Sequence, residues 1–323
     1  MSKKYTFNKQ TNIVEYDNIV ESSPQGTIFS KSYFLKYLKV DYQLWNVKQG
    51  SEIKAVLCLI TSPDKKKIIL NDHIIYGGVI FNTDLTRIET KRRSEEFKIT
   101  EFIIEKLNKM FKKIDIQLSP EFKDIRPFQW FNYHSKNKKK FLIETKFTSY
   151  INLSNKDLKN FLKSNMYNQM ETVRRYDYRS AIKEGASLSL SNDISTFISY
   201  YSQMFGKKKI VSKNNLRKLK SFISDLIRIK KGLMFHVRDN KKNVLYTLFY
   251  IWDKKKAYYY LGAGNPKMTR PWQGVFGHCE IFRYLNQKYD INLIDLEGVN
   301  SPLRGWFKLS LGGSLTSYYR VKI

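Results

Sequence analysis

The sequence predicts an α+β protein built from mixed, mostly antiparallel sheets flanked by helices. Two observations lead to this prediction. Short apolar segments follow one another through polar connections, such as 239–241 and 253–255, that suit β-hairpins. Longer segments, such as 95–112, carry apolar residues at the spacing that gives a helix one apolar face.

The length and composition indicate a folded protein. A chain of 323 residues suffices for one large domain or two ordinary domains, each with its own apolar core. The chain contains 22 tyrosines and 21 phenylalanines. Aromatic content this high excludes an intrinsically disordered chain, which would be poor in these residues.

The formal net charge of +29 predicts an anionic partner, which can be nucleic acid, a nucleotide-linked substrate or a membrane surface. Lysines are spread along the chain rather than confined to one tail. A lysine-rich composition with solvated side chains therefore explains the charge equally well. Contacts with tRNA and a peripheral contact with a membrane both stay open.

Neither cysteines nor histidines are spaced as metal ligands, so no metal is expected. Cys58 and Cys279 lie far apart in apolar contexts, and a disulfide framework is not expected. The start of the chain is polar and predicts no secretory signal. No apolar run reaches the length of a membrane span, so we expect a cytoplasmic protein.

The first half of the chain is expected to form strands around one long helix. A turn and a short helix are expected near 22–38, and a basic run at 136–140 is expected to form an exposed loop. The strands are expected at 44–47, 53–60, 68–70, 74–80 and 114–118, and the helix at 95–112.

The second half is expected to begin after a strand at 149–153, where Ser154 and Asp157 form a capping pattern. We therefore predict a domain boundary between residues 153 and 154. The helices are expected at 156–169, 171–184, 194–205, 215–229 and 271–288. The strands are expected at 233–237, 244–252, 257–261, within 291–313 and at 317–321.

The stretch 291–313 places two carboxylates in an apolar strand. Asp295 and Glu297 lie among Ile and Leu, although acidic residues are poor strand formers. A partly exposed strand end, or an ion pair with Arg304 or Lys308, accounts for them as well as a functional site does. After a turn, a second apolar segment carries Lys308, and we predict that this segment is also a strand.

This stretch resembles the C-terminal signature of Fem-type transferases, the peptidoglycan-bridge aminoacyltransferases and their GNAT-like acyltransferase relatives. The matching residues are Asp295-Leu296-Glu297-Gly298, Asn300-Ser301-Pro302, Gly305, Phe307-Lys308 and Gly312-Gly313. The resemblance implies a GNAT-like domain repeated twice, at 1–153 and 154–323, which fits the order of the predicted elements. The long helical-hairpin arm of some Fem-type enzymes has no room in this chain.

The side chains available for chemistry favour direct transfer to an amine. The sequence has no Gly-x-Ser-x-Gly elbow and no Walker loop. Direct transfer requires a base, donors for the oxyanion and a groove for the activated donor. Asp295 and Glu297 are the best base candidates, because residues two apart on a strand face the same side and a like charge raises one pKa. His278 is a weaker alternative.

Basic residues are the candidates for binding an anionic substrate. Arg174 and Arg175 lie on a helix that resembles the basic stretch of the family, and we expect one of them to bind a phosphate unless this helix face is simply solvated. The signature adds Asn300, Arg304 and Lys308. Together, Arg304 and Lys308 can hold a phosphate or carboxylate in the cleft of the two acidic residues.

The donor site is expected where a strand, a glycine-containing loop and a helix follow one another. Gly262 and Gly264 allow close backbone approach, and a helix N-terminus attracts phosphate. In GNAT enzymes this region holds the pyrophosphate of the acyl carrier, which implies Arg270, Gln273 and Gly274 as further donor-binding residues. Because the usual loop is degenerate here, acyl-CoA and aminoacyl-tRNA, the donor of Fem-type relatives, both stay open.

We therefore predict an N-acyltransferase or aminoacyltransferase with no tightly bound cofactor. Its acceptor is expected to be an amine on a cell-wall precursor or on a nucleotide- or lipid-linked amino sugar. The alternative is a nonenzymatic RNA-binding or interaction protein that uses its basic surface. Tyrosines spread evenly through apolar segments give that alternative no stacking platform.

Overall fold

The computed structural model describes residues 5–83, 88–153, 158, 160–204 and 212–323. The chain divides into two compact units, residues 1–146 with 317–323, and residues 147–316. The predicted boundary between 153 and 154 lies slightly later. Residues 317–323 belong to the first unit because the end of the last strand pairs with a strand of that unit, Arg320 opposite Gln117.

The first unit has an antiparallel sheet in the order β1-β2-β3-β4. Its strands are β1 (Tyr5–Lys9), β2 (Tyr42–Gln49), β3 (Glu52–Ile60), β4 (Gly78–Phe81) and β5 (Asp115–Gln117). Its helices are α1 (Ile13–Ser22), α2 (Ser32–Leu38), α3 (Glu89–Met110) and α4 (Arg126–Trp130). The predicted strand at 68–70 forms only an isolated bridge, between Thr61 and Ile68.

The long helix α3 covers the core of the first unit. Ile99, Ile103, Ile104 and Leu107 recur at helical spacing and are buried. They pack in one apolar cluster with strand residues such as Leu57. The amphipathic pattern therefore placed this helix correctly.

The second unit is a mostly antiparallel sheet flanked by helices. Its strands include β6 (Leu142–Asn152), β7 (Ser187–Ser191), β8 (Gly232–Arg238), β9 (Val244–Trp252), β10 (Ala257–Gly264), β11 (Leu293–Gly298) and β12 (Ser314–Lys322). Its helices are α5 (Asn165–Gln169), α6 (Thr172–Lys183), α7 (Ile194–Gln203), α8 (Lys213–Arg228), α9 (Gln273–Tyr289) and α10 (Pro302–Leu309). Strands β6 and β12 each pass from one unit into the other. Both units thus confirm the predicted α+β class.

The sheet of the second unit contains one parallel pair, β10 and β11. Its strand order is β6-β11-β10-β9-β8-β7, and the other neighbours are antiparallel. The register of the parallel pair covers only Ala257 opposite Ile294 and Tyr258 opposite Asp295. Beyond these residues no further pairing between the two strands is present in the register.

The segment that follows β11 is the helix α10, so the predicted second strand is wrong. Pro302 occupies the first helical turn, where its fixed φ is favourable and its missing N–H is not needed. Short apolar runs do not distinguish a strand from a helix by periodicity alone. Lys308 therefore lies on a helix next to Phe307, and its direction does not follow from strand alternation.

Two predicted features lie wholly or partly outside the described residues. The capping pattern at Ser154 and Asp157 is one of them, and the beginning of the helix predicted at 156–169 is the other. The last part of that helix is present as α5. Within the part of the chain that the structure describes, no helix has both the length and the apolar character needed to cross a membrane.

Candidate functional site

The site lies in the second unit, where β10 and β11 separate. Asp295 is completely buried on β11. Its Oδ1 accepts hydrogen bonds from the Thr148 hydroxyl at 2.6 Å and from the Glu297 backbone N–H at 2.8 Å. The register of β11 against β6 shifts between Asp295 and Gly298, which marks a β-bulge. The Asp295 carboxylate therefore holds the bulge in place.

Glu297 occupies this bulge in a strained conformation. Its φ is +59°, in the left-handed region that side chains other than glycine rarely adopt. The residue is buried, and its Oε1 has no hydrogen-bond partner among the described residues. Strained backbone and unsatisfied buried groups occur preferentially at functional sites.

Burial raises the pKa of Glu297 well above its usual value. The positive charge of Lys308 opposes this rise, and Asp295 adds to it. Repulsion by the second carboxylate, which the sequence predicts, therefore contributes to the raised pKa of Glu297, but removal from water is the larger cause. A carboxyl group with a raised pKa can exchange a proton near neutral pH.

Lys308, on α10, acts electrostatically on this carboxylate. Its Nζ donates a hydrogen bond to the Gly298 carbonyl oxygen at 3.2 Å and lies 5.4 Å from the centre of the Tyr259 ring. Burial lowers the pKa of Lys308, although Glu297 and Asp295 act to raise it. The negative charges of the two carboxylates alone would hold this lysine in its charged form. The net direction is the opposite, because desolvation outweighs their attraction.

His278, on α9, is enclosed by aromatic rings and fully buried. Its Nδ1 is 2.5 Å from the Tyr250 hydroxyl, and its Nε2 has no partner among the described residues. Burial, assisted by Lys308, lowers the pKa of His278 to about 3. We assign the Tyr250 hydroxyl as the donor to Nδ1, which places the hydrogen of the neutral ring on Nε2. Such a ring donates a hydrogen bond more readily than it accepts a proton.

Three tyrosines complete the site and were not predicted. The hydroxyls of Tyr246 and Tyr259 are 2.8 Å apart. A Cβ atom at Gly262 would lie 2.2 Å from the Tyr259 hydroxyl and 2.7 Å from that of Tyr246, so only glycine fits beneath them. Tyr250 follows on β9. These tyrosines are spaced along their strands as core residues are, so the sequence pattern does not mark them as site residues. Only Gly262 indicates that two groups approach each other closely here.

The candidate donor residues meet at the start of α9. The Gln273 side chain accepts a hydrogen bond from the Arg270 backbone N–H at 2.9 Å. Gly264 faces the same Gln273 side chain, and the Phe307 ring lies where a Cβ at Gly274 would approach it to 3.0 Å. The glycines thus permit close packing of side chains here, and Phe307 occupies part of the space beside the first turn of α9.

The candidate substrate-binding residues are less clustered. Arg304 is exposed, and its charge acts on Lys308 and lowers the pKa of that residue. Arg174 donates hydrogen bonds to Ser310 and Asp177 and lies over the Phe307 ring. It therefore supports the end of α10.

Arg175 and Asn300 form hydrogen bonds with Thr172 and Phe147. Arg175 is half-buried and donates to the Thr172 hydroxyl at 3.1 Å. The Asn300 side chain accepts from the Phe147 backbone N–H at 2.8 Å and donates to its carbonyl at 3.0 Å. Asn300 thus fastens the end of β11 to β6. Within the described residues, no group of histidine, cysteine and acidic side chains is arranged to hold a metal ion.

No protein-family model matches the sequence, and no curated protein matches it. Solved structures do match. FemX is 14% identical with a TM-score of 0.66, covering 98% of this chain and 96% of its own. A tandem GNAT protein from the clavulanic acid biosynthesis pathway is 8% identical with a TM-score of 0.56, covering 99% and 98%. L-PGS from Bacillus licheniformis is 11% identical with a TM-score of 0.56, covering 97% and 92%.

These matches extend over nearly the whole chain and establish its fold. The protein has the fold of tandem GNAT-like domains, as the resemblance to Fem-type and GNAT-like transferases implied. At such low identity the likeness concerns the fold, so the chemistry has to be argued from the site itself.

Proposed function

We propose that the protein transfers an acyl or aminoacyl group from an activated donor to an amine, at the point where β10 and β11 stop pairing. The observation that carries this proposal is the electrostatic pair of the buried Glu297 and the half-buried Lys308. One member is a carboxyl group with a raised pKa, the other is an amine with a lowered pKa, and each acts electrostatically on the other. Direct acyl transfer needs such a proton acceptor and such a cation.

The two residues divide the steps of the reaction. The acceptor nitrogen attacks the carbonyl carbon of the donor, and the carbonyl oxygen becomes an oxyanion. Lys308 in its ammonium form donates to that oxyanion. Glu297 accepts the proton that the nitrogen loses. When the bond to the carrier breaks, the oxygen or sulfur of the carrier takes up the proton that Glu297 holds. Glu297 thereby returns to its starting state.

The neighbouring residues position this pair. The Gly298 carbonyl and the Tyr259 ring hold the Lys308 ammonium from two sides. Asp295 fixes the bulge that directs Glu297. Interactions that are already in place before the reaction need no reorganisation in the transition state. In this proposal Asp295 is a positioning residue rather than the base.

The donor is an activated ester or thioester. Phe307 fills space beside the first turn of α9, the position at which an acyl carrier's pyrophosphate would bind a helix N-terminus. This packing supports an aminoacyl-tRNA donor over acyl-CoA, whereas the strongly basic chain suits either of these anionic donors. The acceptor is an amine on a cell-wall precursor or on a nucleotide- or lipid-linked amino sugar, whose anionic groups suit the exposed Arg304.

The test is to identify the reaction by mass spectrometry. The protein is added to a lysate together with either acyl-CoA or charged tRNA, and metabolites that are lost or gained are identified. We expect a new amide product in the charged-tRNA arm. A product only in the acyl-CoA arm would contradict the choice of donor. The absence of an amide product in both arms would contradict acyl transfer itself.

A further inference from the structure

The loop between α4 and β6 in the first unit is strongly basic. Residues 130–142, here called the 130–142 loop, contain four lysines and no carboxylate. These lysines are all exposed: Lys136, Lys138, Lys139 and Lys140. Among the residues described, none of the four forms a salt bridge. No acidic side chain in the described part of the chain therefore neutralises their positive charge through an ion pair.

The 130–142 loop has a defined shape. The Asn132 side chain donates a hydrogen bond to the Lys139 carbonyl oxygen at 2.7 Å, and the Lys140 ammonium donates to the Tyr133 carbonyl oxygen at 3.1 Å. The rings of Phe131 and Phe141 contact each other with their centres 5.6 Å apart. These contacts close the base of the loop and present the other lysines at its tip.

Large apolar side chains are exposed beside these lysines. Tyr133 is 63% exposed, Leu142 is 54% exposed and Trp130 is 50% exposed. Trp130 and Leu142 directly flank the Phe131–Phe141 pair, one on each arm. Phe131 and Phe141 pack against the core of the first unit, whereas their sequence neighbours Trp130 and Leu142 are exposed to solvent. Such exposure of aromatic and aliphatic groups in one short segment is typical of an interaction surface.

We propose that the 130–142 loop docks on the surface of an anionic phospholipid membrane. The uncompensated lysines are attracted by acidic headgroups. Tryptophan and tyrosine prefer the boundary between headgroups and acyl chains, and leucine adds apolar area that can enter it. Charge and apolar surface lie together on one closed loop, which is the combination that peripheral membrane binding requires.

The same aromatic residues are poorly placed to bind single-stranded RNA. Base stacking requires a free ring face. The Arg126 guanidinium lies over the Trp130 ring at 5.4 Å, and the Phe97 ring contacts it edge-on. The Lys140 ammonium lies 5.8 Å from the centre of the Tyr133 ring. Since a cation already lies over one face of each of these rings, the loop suits a membrane better than a nucleic acid.

Vesicle flotation of the full chain tests this proposal. Vesicles of phosphatidylcholine with phosphatidylglycerol are compared with vesicles of phosphatidylcholine alone. The triple variant Lys136→Ala, Lys138→Ala, Lys139→Ala should partition roughly a hundredfold more weakly to the anionic vesicles, because each basic residue contributes about fivefold. Lys65→Ala, Lys66→Ala, Lys67→Ala is the matched control, since it removes the same charge from an exposed run without aromatic neighbours.

The apolar contribution is tested separately. Tyr133→Ser and Leu142→Ser should each weaken binding roughly fivefold, the effect of burying about half of a large side chain, and high salt should weaken it further. Equal losses in both triple variants, or equal binding to neutral vesicles, would overturn the proposal. So would binding of single-stranded oligouridylate that depends on the loop lysines while vesicle binding does not. Circular dichroism verifies that each variant is folded. If a triple variant is not folded, single lysine variants are measured in its place.

Discussion

The half-buried Lys308 ammonium acts electrostatically on the buried Glu297, so the effects of replacing it on activity and on stability can be separated. Lys308→Met keeps most of the side-chain volume and removes the charge. We expect turnover to fall by at least about fivefold, which corresponds to about 1 kcal/mol of transition-state stabilisation, with little loss of thermal stability. Lys288→Met, on an exposed position of α9, is the matched control and should retain full turnover. A Lys308→Met variant that melts early but keeps its turnover would assign this residue to the fold.

The two carboxylates of β11 differ in their contacts and should differ in their response to amide substitution. Glu297→Gln removes the proton acceptor, so we expect turnover to fall by about tenfold to ten-thousandfold. Asp295→Asn retains an oxygen that can accept from Thr148 and from the Glu297 backbone, and turnover should fall much less. Steady-state kinetics of both variants decides between them. A larger loss in Asp295→Asn would transfer the role of base to that residue.

Because His278 is buried in its neutral form, we expect the folded protein to lose stability in acid. Its pKa is about 3 in the folded protein and 6.5 ordinarily, so the unfolded chain binds a proton first as the pH falls. Its contribution is present above about pH 6.5, and about 3 kcal/mol of it is lost by about pH 4.5. Denaturant unfolding of His278→Gln at several pH values checks this. The variant should lose less stability over this interval, and parallel curves would refute the assignment.

The helix α10 matters as an element because it carries both Phe307 and Lys308. A Cβ atom at Gly305 would lie 2.4 Å from the Val299 carbonyl oxygen, so the helix approaches the backbone at this point as closely as glycine allows. The position of α10 relative to β11 therefore depends on the absence of a side chain at residue 305.

Gly305→Ala separates helix propensity from packing. Propensity alone would make alanine stabilising by about 1 kcal/mol. Because the new Cβ has to displace α10, we expect a net destabilisation of about 1–3 kcal/mol and reduced turnover. Thermal unfolding and kinetics measure both effects. Leu303→Ala, on the solvent side of the same helix, should leave both unchanged, and an increased stability of Gly305→Ala would show that the close contact is tolerated.

At the scale of the whole molecule, the C-terminal residues complete the first unit rather than the second. The guanidinium of Arg320 forms two hydrogen bonds with Asp115, at 2.8 and 2.9 Å, and Val321 is fully buried in the core of that unit. Folding of the first unit therefore needs both ends of the chain.

Deletion of residues 317–323 should destabilise the first unit although most of its sequence is intact. The deletion removes the strand that pairs with β5 and a buried side chain, for an expected loss of several kcal/mol. Hydrogen exchange should show faster exchange in β5 and α3, with β8 and β9 still protected. Leu315→Ser, an exposed residue of the same strand outside the deleted segment, should change neither. Uniformly unchanged protection would refute this organisation.

Local patterns in the sequence determined the fold class, most element positions and the two acidic residues of β11. The strand predicted at 244–252 coincides with β9, because periodicity and turn chemistry act over a few residues. The basic run at 136–140 is exposed, as predicted. The Fem-type signature also drew attention to Lys308 before its surroundings were known.

Only the tertiary structure decided which distant groups meet and how strongly they are desolvated. It placed Lys308 on a helix, brought tyrosines of β9 and β10 against His278, and limited the pairing of β10 with β11 to two positions. It also decided the direction in which the pKa of Lys308 departs from its usual value, since the loss of water around a side chain depends on everything packed against it. Strand pairing and burial are non-local, and for this reason no window of the sequence contains them.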